Sequence, residues 1–148
     1  MKEFSHRFQV AASIKEVAAF HRDPHALKIL TPLPLWVKIH AVEPLAENST
    51  ARFTIWAGPV PLYWEAIHTN VSDQGFTDTQ VRGPYQFWSH THRFEAIDSH
   101  KTIVADEIKA TYGRGLFWGL ITRLMWAGLP AVFAFRGWRT RRALEKTA

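Results

Sequence analysis

One predicted strand places two histidines between two aromatic residues. Alternate side chains of a strand share a face, and the face concerned carries Trp88, His90, His92 and Phe94. Buried imidazoles need polar partners. An apolar strand face with two titratable groups at its centre therefore suits the wall of a pocket better than a dry core.

A carboxylate from the preceding strand is a candidate partner for these histidines. Gly83-Pro84 is a turn signal, so the strand before it is expected to form a hairpin with the histidine strand. Cross-strand neighbours in that hairpin have residue numbers that sum to about 167. Asp78 would then lie near Ser89 or His90, which makes Asp78 and His90 a predicted cross-strand pair.

A second hairpin supplies another carboxylate. The turn at residues 98–100 would set His92 near Asp106 or Glu107, and Asp106 shares its strand face with apolar residues. We therefore expect two carboxylate–imidazole pairs side by side. Their opposite charges are expected to raise the pKa of both histidines.

Three roles are open to this polar group. The first is structural, because buried polar groups are normally hydrogen-bonded. The second is in a pocket, where the histidines would orient a ligand carbonyl or hydroxyl, or move a proton near neutral pH. The third is metal binding, which needs three or four ligands. Nothing in the spacing brings the missing ligands together, so no metal is expected.

Ring-bearing residues on the strands are expected to add apolar lining. Most strand tryptophans belong in the core, because burying their rings is a large hydrophobic gain. Trp64 and Trp88 are the two that we expect to line a cavity and stack on a flat ligand. The predicted ligand-binding residues are Trp64, Asp78, Gln80, Trp88, His90, His92 and Asp106.

The elements that position these residues follow a regular order. Residues 4–10 alternate as a strand, and Ser13 and Glu16 form a capping box before a helix over residues 14–21. Asp23-Pro24 is expected to cap and start a second short helix. Alternating patterns then predict strands over residues 36–42, 51–56, 62–71, 76–82, 85–97 and 102–112.

A long helix is predicted over residues 116–145. Its apolar part is long enough to span a bilayer. A stripe of small or polar residues recurs at helical spacing, and it consists of Gly119, Arg123, Ala127, Pro130, Ala134, Gly137 and Arg141. This stripe instead favours a helix that lies on a sheet with the stripe facing outward. The residues expected to face the core are Leu120, Leu124, Gly128, Ala131 and Phe135.

Composition narrows the function classes. The 148 residues are 47% hydrophobic and 14% aromatic, and the absence of cysteine excludes thiolate chemistry. No apolar run of signal-peptide length begins the chain, so a cytoplasmic location is expected.

Phosphate-loop, metalloprotease and serine-hydrolase motifs are missing, and no RNA-binding pattern is present, so neither a cofactor nor a nucleic-acid partner is expected. The net charge of +5 is concentrated near the C-terminus, in Arg136, Arg139, Arg141, Arg142 and Lys146.

Element order and three local patterns together resemble one superfamily. The patterns are Phe-x-Val-x-Ala-Ser-x-x-Glu-Val over residues 8–17, Leu-Thr-Pro at 30–32, and Gly-Pro at 83–84 leading into the Trp/His strand. The α+β order of a strand, two short helices, consecutive strands and a long helix is similar to that of the START-like (SRPBCC) helix-grip superfamily. That superfamily includes polyketide cyclases/dehydratases, coenzyme Q-binding proteins and plant pathogenesis-related class 10 proteins.

This resemblance implies a single START-like domain over residues 1–148. A curved antiparallel sheet of six or seven strands would wrap around the long C-terminal helix, and an internal cavity would bind an apolar or amphipathic small molecule that is lipid, polyketide or quinone-like. Two alternatives stay open. One is a cyclase/dehydratase-type enzyme in which His90 or His92 acts as general base and Asp78 or Asp106 orients it. The other is a membrane-surface or assembly module that uses the helix and the arginine cluster. The oligomeric state stays open.

Overall fold

A seven-stranded antiparallel sheet carries one long helix and two short ones. The computed structural model describes residues 1–145, so Lys146 of the basic cluster lies outside the described residues. The elements, in chain order, are β1 Lys2–Val10, α1 Ile14–Arg22, α2 Ala26–Ile29, β2 Trp36–Val42, β3 Thr50–Ala57, β4 Val60–Ser72, β5 Gly75–Arg82, β6 Phe87–Asp98, β7 Lys101–Thr111 and α3 Gly115–Leu144. This is the predicted α+β order, with the long helix at the C-terminus.

Strand β6 lies at the middle of the polar group. The sheet order is β1-β7-β6-β5-β4-β3-β2, so β6 pairs with β5 on one side and β7 on the other. Asp78 is directly opposite His90, and His92 is directly opposite Asp106. Both pairings match the register expected from the two hairpins.

The two short helices follow their capping residues. Ser13 and Glu16 make the expected capping box of α1, with Glu16 N donating to Ser13 Oγ at 3.2 Å and Ser13 N donating to Glu16 Oε2 at 2.8 Å. Asp23 ends α1 instead of starting α2. Its carboxylate accepts a hydrogen bond from His25 N at 2.9 Å, which is a turn interaction available to aspartate. The second helix is consequently a single turn.

The inner face of α3 only partly matches the one that the apolar pattern predicts. Gly119 and Gly137 are buried, whereas Leu120 and Leu124 are 59% and 61% exposed. At Gly137 an added Cβ would lie 3.4 Å from ring atoms of Phe8. At this position the face of α3 that carries Gly137 is therefore the one against β1, while Leu120 and Leu124 lie on the exposed side.

Exposed apolar residues run along the first half of α3. By length and composition alone, this helix is long and apolar enough to cross a membrane. Most of its apolar segment is not buried in the protein. We call the set of its most exposed leucines and phenylalanine the α3 ridge, which consists of Leu116, Phe117, Leu120 and Leu124.

Candidate functional site

A cavity of about 500 Å³ lies between α3 and the sheet. This volume falls within the range of small-molecule sites, which are mostly apolar with a few polar groups. The closest approach of α3 to the sheet is at β1, which leaves space above β3 to β6. The apolar lining includes Phe53, Leu62, Trp64, Trp88, Leu129 and Phe133.

Trp64 and Trp88 line this cavity and pack edge to face. Their ring centroids are 5.3 Å apart at 88°, a favourable arrangement for aromatic rings. Tyr85 contacts both rings, with centroid distances of 6.1 Å to Trp64 and 4.8 Å to Trp88. The Tyr85 hydroxyl donates to the Thr122 carbonyl at 3.2 Å. The tyrosine thereby links the aromatic wall to α3.

Four polar side chains on β5, β6 and β7 form one buried cluster, which we call the Asp–His tetrad (Asp78, His90, His92 and Asp106). His90 Nε2 donates to Asp106 Oδ1 at 2.8 Å, and His92 Nε2 donates to Asp78 Oδ2 at 3.0 Å. Each hydrogen bond is diagonal, because the residues directly opposite are Asp78 with His90 and Asp106 with His92. Side chains on one sheet face can reach such diagonal neighbours. The predicted side-chain pairs are therefore exchanged.

Each carboxylate of the tetrad nevertheless touches both histidines. Asp78 Oδ2 lies 3.8 Å from His90 Nδ1, and Asp106 Oδ1 lies 3.2 Å from His92 Nδ1. The second contact lacks hydrogen-bond geometry, but it is close enough for strong charge attraction. The two imidazoles lie face to face, with centroids 3.8 Å apart and planes inclined by 32°.

The environment moves the pKa values of the two histidines in opposite directions. Burial, together with the charge of His92, lowers the pKa of His90. Burial alone would also lower the pKa of His92, but its contacts with Asp106 and Asp78 outweigh burial and leave that pKa raised. The expectation that both values rise is wrong for His90, because burial disfavours its charged form and the adjacent His92 adds charge repulsion.

The carboxylates of the tetrad stay ionised. Burial by itself would raise the pKa of Asp106, but the hydrogen bond from His90 and the close contact with His92 hold it well below its usual range. The pKa of Asp78 is lowered against burial by its bond with His92 and the charge of His90. As the pH is lowered, His92 is therefore protonated before His90.

Two residues of the predicted binding set do not reach the cavity. Asp106 lies behind the histidines, whereas Asp78, His90 and His92 line the cavity wall. The Gln80 amide brackets Tyr85 instead, since Nε2 donates to the Tyr85 carbonyl at 2.8 Å and Oε1 accepts from Tyr85 N at 3.2 Å. Both residues therefore position other groups and do not line the site.

The tetrad also contains a possible set of metal ligands. Asp78, His90 and His92 each offer one ligand atom, and these atoms lie within 4.8 Å of one another. Two of these atoms are already engaged with each other, since His92 Nε2 donates to Asp78 Oδ2 at 3.0 Å. Binding an ion there would require this hydrogen bond to be given up.

His21 is a cavity residue that the sequence analysis missed. Its Nδ1 donates to the Val17 carbonyl at 2.8 Å, which leaves Nε2 as an acceptor. Burial first, and the charge of His92 second, lower its pKa to about 3. Its position four residues after the buried Val17 places it on the inner face of α1, and this spacing is the signal that could have identified it.

Arg136 also lines the cavity, although the sequence analysis grouped it with the outward C-terminal arginines. It follows Phe133 by three residues, and its guanidinium lies over that ring at 5.2 Å. Arg139 donates to the Ile29 carbonyl at 3.4 Å and Arg141 to the Gln9 carbonyl at 2.8 Å. Within residues 1–145, the basic cluster is therefore divided among different contacts.

Comparisons with known proteins are informative at the level of structure. No protein-family model matches the sequence, and no curated protein matches it. Many solved structures match. A START superfamily protein from Mycobacterium smegmatis superposes with a TM-score of 0.70 at 12% identity, covering 95% of this chain and 98% of that chain.

Two enzymes also share this architecture. The Zhui aromatase/cyclase from a Streptomyces species has a TM-score of 0.66 at 17% identity, covering 97% of this chain and 96% of that chain. Norcoclaurine synthase from Thalictrum flavum, solved with dopamine and hydroxybenzaldehyde, has a TM-score of 0.68 at 15% identity, covering 99% of this chain and 89% of that one. Identities this low show a common fold and no common reaction.

Proposed function

We propose that this chain, which has the helix-grip fold of the START-like proteins, binds an apolar or amphipathic small molecule between α3 and the sheet. The observation that carries the proposal is the cavity of about 500 Å³, which is lined mainly by apolar side chains and has a polar region at the tetrad. Solved structures of this fold include one named an aromatase/cyclase and a synthase in complex with the small molecules dopamine and hydroxybenzaldehyde.

The two parts of the lining suit different parts of such a ligand. Apolar side chains such as Phe53, Trp64 and Trp88 would supply affinity, because removing apolar surface from water is favourable. Asp78, His90 and His92 would fix the orientation of a carbonyl or hydroxyl group by hydrogen bonding. A lipid, a polyketide or a quinone-like molecule has both features.

Native mass spectrometry of the purified protein with lipid and aromatic libraries tests the proposal. Gly128 lines the cavity, and a Cβ added there meets nothing within 4 Å, so Gly128→Phe should fill the cavity. Ala127 is on the exposed side of α3, which makes Ala127→Phe the matched control. We expect Gly128→Phe to abolish ligand retention and Ala127→Phe to preserve it. Equal retention by both variants would place the ligand outside the cavity, and retention of no library member would count against binding.

A cyclase/dehydratase-type reaction is a second candidate, favoured by the opposite pKa shifts of His90 and His92. Paired titratable groups with separated pKa values are typical of acid–base sites. His90 would act as the base through Nδ1, because Asp106 accepts the Nε2 proton. Turnover of a ligand found in the screen, measured for wild type and His90→Gln, tests this role. Unchanged turnover in the variant would exclude His90 as the base.

A membrane-surface role is a third candidate, favoured by the exposed α3 ridge. Arg114 and Arg123 are exposed beside it and could contact lipid phosphates, an attraction that salt weakens. Flotation with anionic vesicles at low and high salt tests this role, with Leu120→Asp as the variant and Ile97→Asp, at an exposed apolar position of β6, as the charge-matched control. No binding at low salt would rule it out.

A further inference from the structure

Arg136 is a charged residue in the wall of a mostly apolar cavity. Its side chain is half-buried, and burial lowers the pKa of its guanidinium. A guanidinium nevertheless stays protonated in proteins. The cavity therefore contains a permanent cation, which needs hydrogen-bond acceptors or a counter-ion when water is displaced.

The described residues 1–145 give this guanidinium neither a hydrogen-bond acceptor nor an ion pair. Its only recorded partner among them is the ring of Phe133, over which Arg136 Cζ lies at 5.2 Å. Asp78 and Asp106 attract it from a distance, but their oxygens are directed to the two histidines of the tetrad. The donors of Arg136 are therefore available to a ligand.

The position of Arg136 is also well defined. Arg136 Cζ lies over the Phe133 ring, a cation–π contact that restricts where the guanidinium lies, and the helical backbone of α3 carries both residues. The charge of Arg136 contributes to the lowered pKa of His21 across the cavity, so its potential extends to α1. A planar, oriented fork of N–H donors matches the two oxygens of a carboxylate.

We infer that the cavity takes an amphipathic acid, whose carboxylate binds Arg136 while its apolar body lies against the aromatic wall. This inference rests on the proposed function and specifies the chemical class of ligand. Because Arg136 lies on the inner face of α3 with Phe133, the acid group would be held at the helix, on the opposite side of the cavity from the strands that carry Trp64 and Trp88.

The test compares acids with alcohols of the same shape. Lauric acid with lauryl alcohol, and naphthoic acid with naphthyl methanol, are titrated at neutral pH by calorimetry or tryptophan fluorescence. A hydrogen-bonded charge pair in a cavity is expected to favour the acid of the matching pair by about tenfold or more. Arg136→Met should remove this preference and leave alcohol affinity within about twofold, because it keeps the aliphatic bulk. Arg139→Met is the control, since Arg139 donates to α2, and should keep the preference.

The other outcomes distinguish the role of Arg136 from the proposed function. Equal binding of acid and alcohol by wild type, or a preference that persists in Arg136→Met, overturns the role of Arg136 and leaves the proposed function standing. Binding of neither pair, together with retention of nothing in the ligand screen, counts against the proposed function itself. If Arg136→Met does not fold, Arg136→Lys takes its place, because it keeps the charge without the planar fork of donors, and it should reduce the preference for the acid. If neither variant folds, the comparison of acid with alcohol in the wild type tests the inference.

Discussion

His90 donates its Nε2 proton to Asp106 at 2.8 Å although the residue directly opposite His90 on β7 is Ile108. The bond is therefore diagonal across the β6–β7 ladder. It fixes the neutral tautomer of His90 with Nδ1 unprotonated, and it turns this nitrogen toward Asp78, 3.8 Å away. The orientation of one histidine thus depends on a carboxylate that does not line the cavity.

The first prediction concerns the charge of Asp106. Replacing Asp106 with Asn should lower the pKa of His92, because a nearby anion that favours the imidazolium is lost. An NMR titration of the imidazole carbons measures this change. Glu107→Gln is the control, since Glu107 pairs with Arg93 on the other face of β7, and it should leave His92 unchanged. An unchanged His92 in Asp106→Asn would mean that Asp78 alone maintains the raised pKa.

The second prediction concerns stability in mild acid. His21 has an ordinary pKa of 6.5 that folding lowers to about 3. Below pH 6.5 the unfolded chain binds a proton at His21 that the folded chain does not. The free energy of unfolding should therefore decrease as the pH is lowered, by at most about 1.4 kcal/mol per pH unit for this group. Urea denaturation at a series of pH values between about 6.5 and 4.5 measures the slope.

A variant separates His21 from the other histidines in that pH range. His90 and His68 have lowered pKa values and add to the acid sensitivity, whereas His92 has a raised one and opposes it. His21→Gln should flatten the slope, and His100→Gln, in the exposed turn after β6, should not. The same slope in wild type and His21→Gln would show that His21 keeps its proton after folding.

The third prediction concerns the contact between α3 and β1. Gly137→Leu should destabilise the protein by about 1–3 kcal/mol, because the new side chain overlaps the ring of Phe8. Gly128→Ala should stabilise it by about 0.5–1 kcal/mol, because the added methyl group meets open space and alanine favours a helix. Chemical denaturation measures both variants. Equal effects of the two changes would show that Gly137 is not a close-approach position.

The fourth prediction separates support from ligand contact. Gln80→Ala should remove two hydrogen bonds to the Tyr85 backbone and lower the free energy of unfolding by about 1–3 kcal/mol. Ligand affinity should change less than in Gly128→Phe, because Gln80 does not line the cavity. Gln74→Ala, at an exposed turn, is the control. A loss of affinity with unchanged stability would return Gln80 to the ligand-binding set.

Local patterns in the sequence were sufficient for much of the fold. The capping box of Ser13 and Glu16, the turn at Gly83-Pro84 and the alternating strands depend on neighbours in the chain, and each is present where it was expected. The registers that place Asp78 opposite His90 and Asp106 opposite His92 also follow from hairpin length. Sequence alone therefore determined the element order and which polar residues would meet.

Tertiary structure decided how those residues interact and which way α3 faces. The exchange of hydrogen-bond partners within the tetrad depends on side-chain direction across three strands, and the lowered pKa of His90 depends on its burial beside a protonated His92. Gly137 faces β1, where an added Cβ would lie 3.4 Å from ring atoms of Phe8, and the neighbouring Arg136 lines the cavity. Periodicity identifies an apolar face of a helix, but the three-dimensional fit between helix and sheet selects the face that is buried.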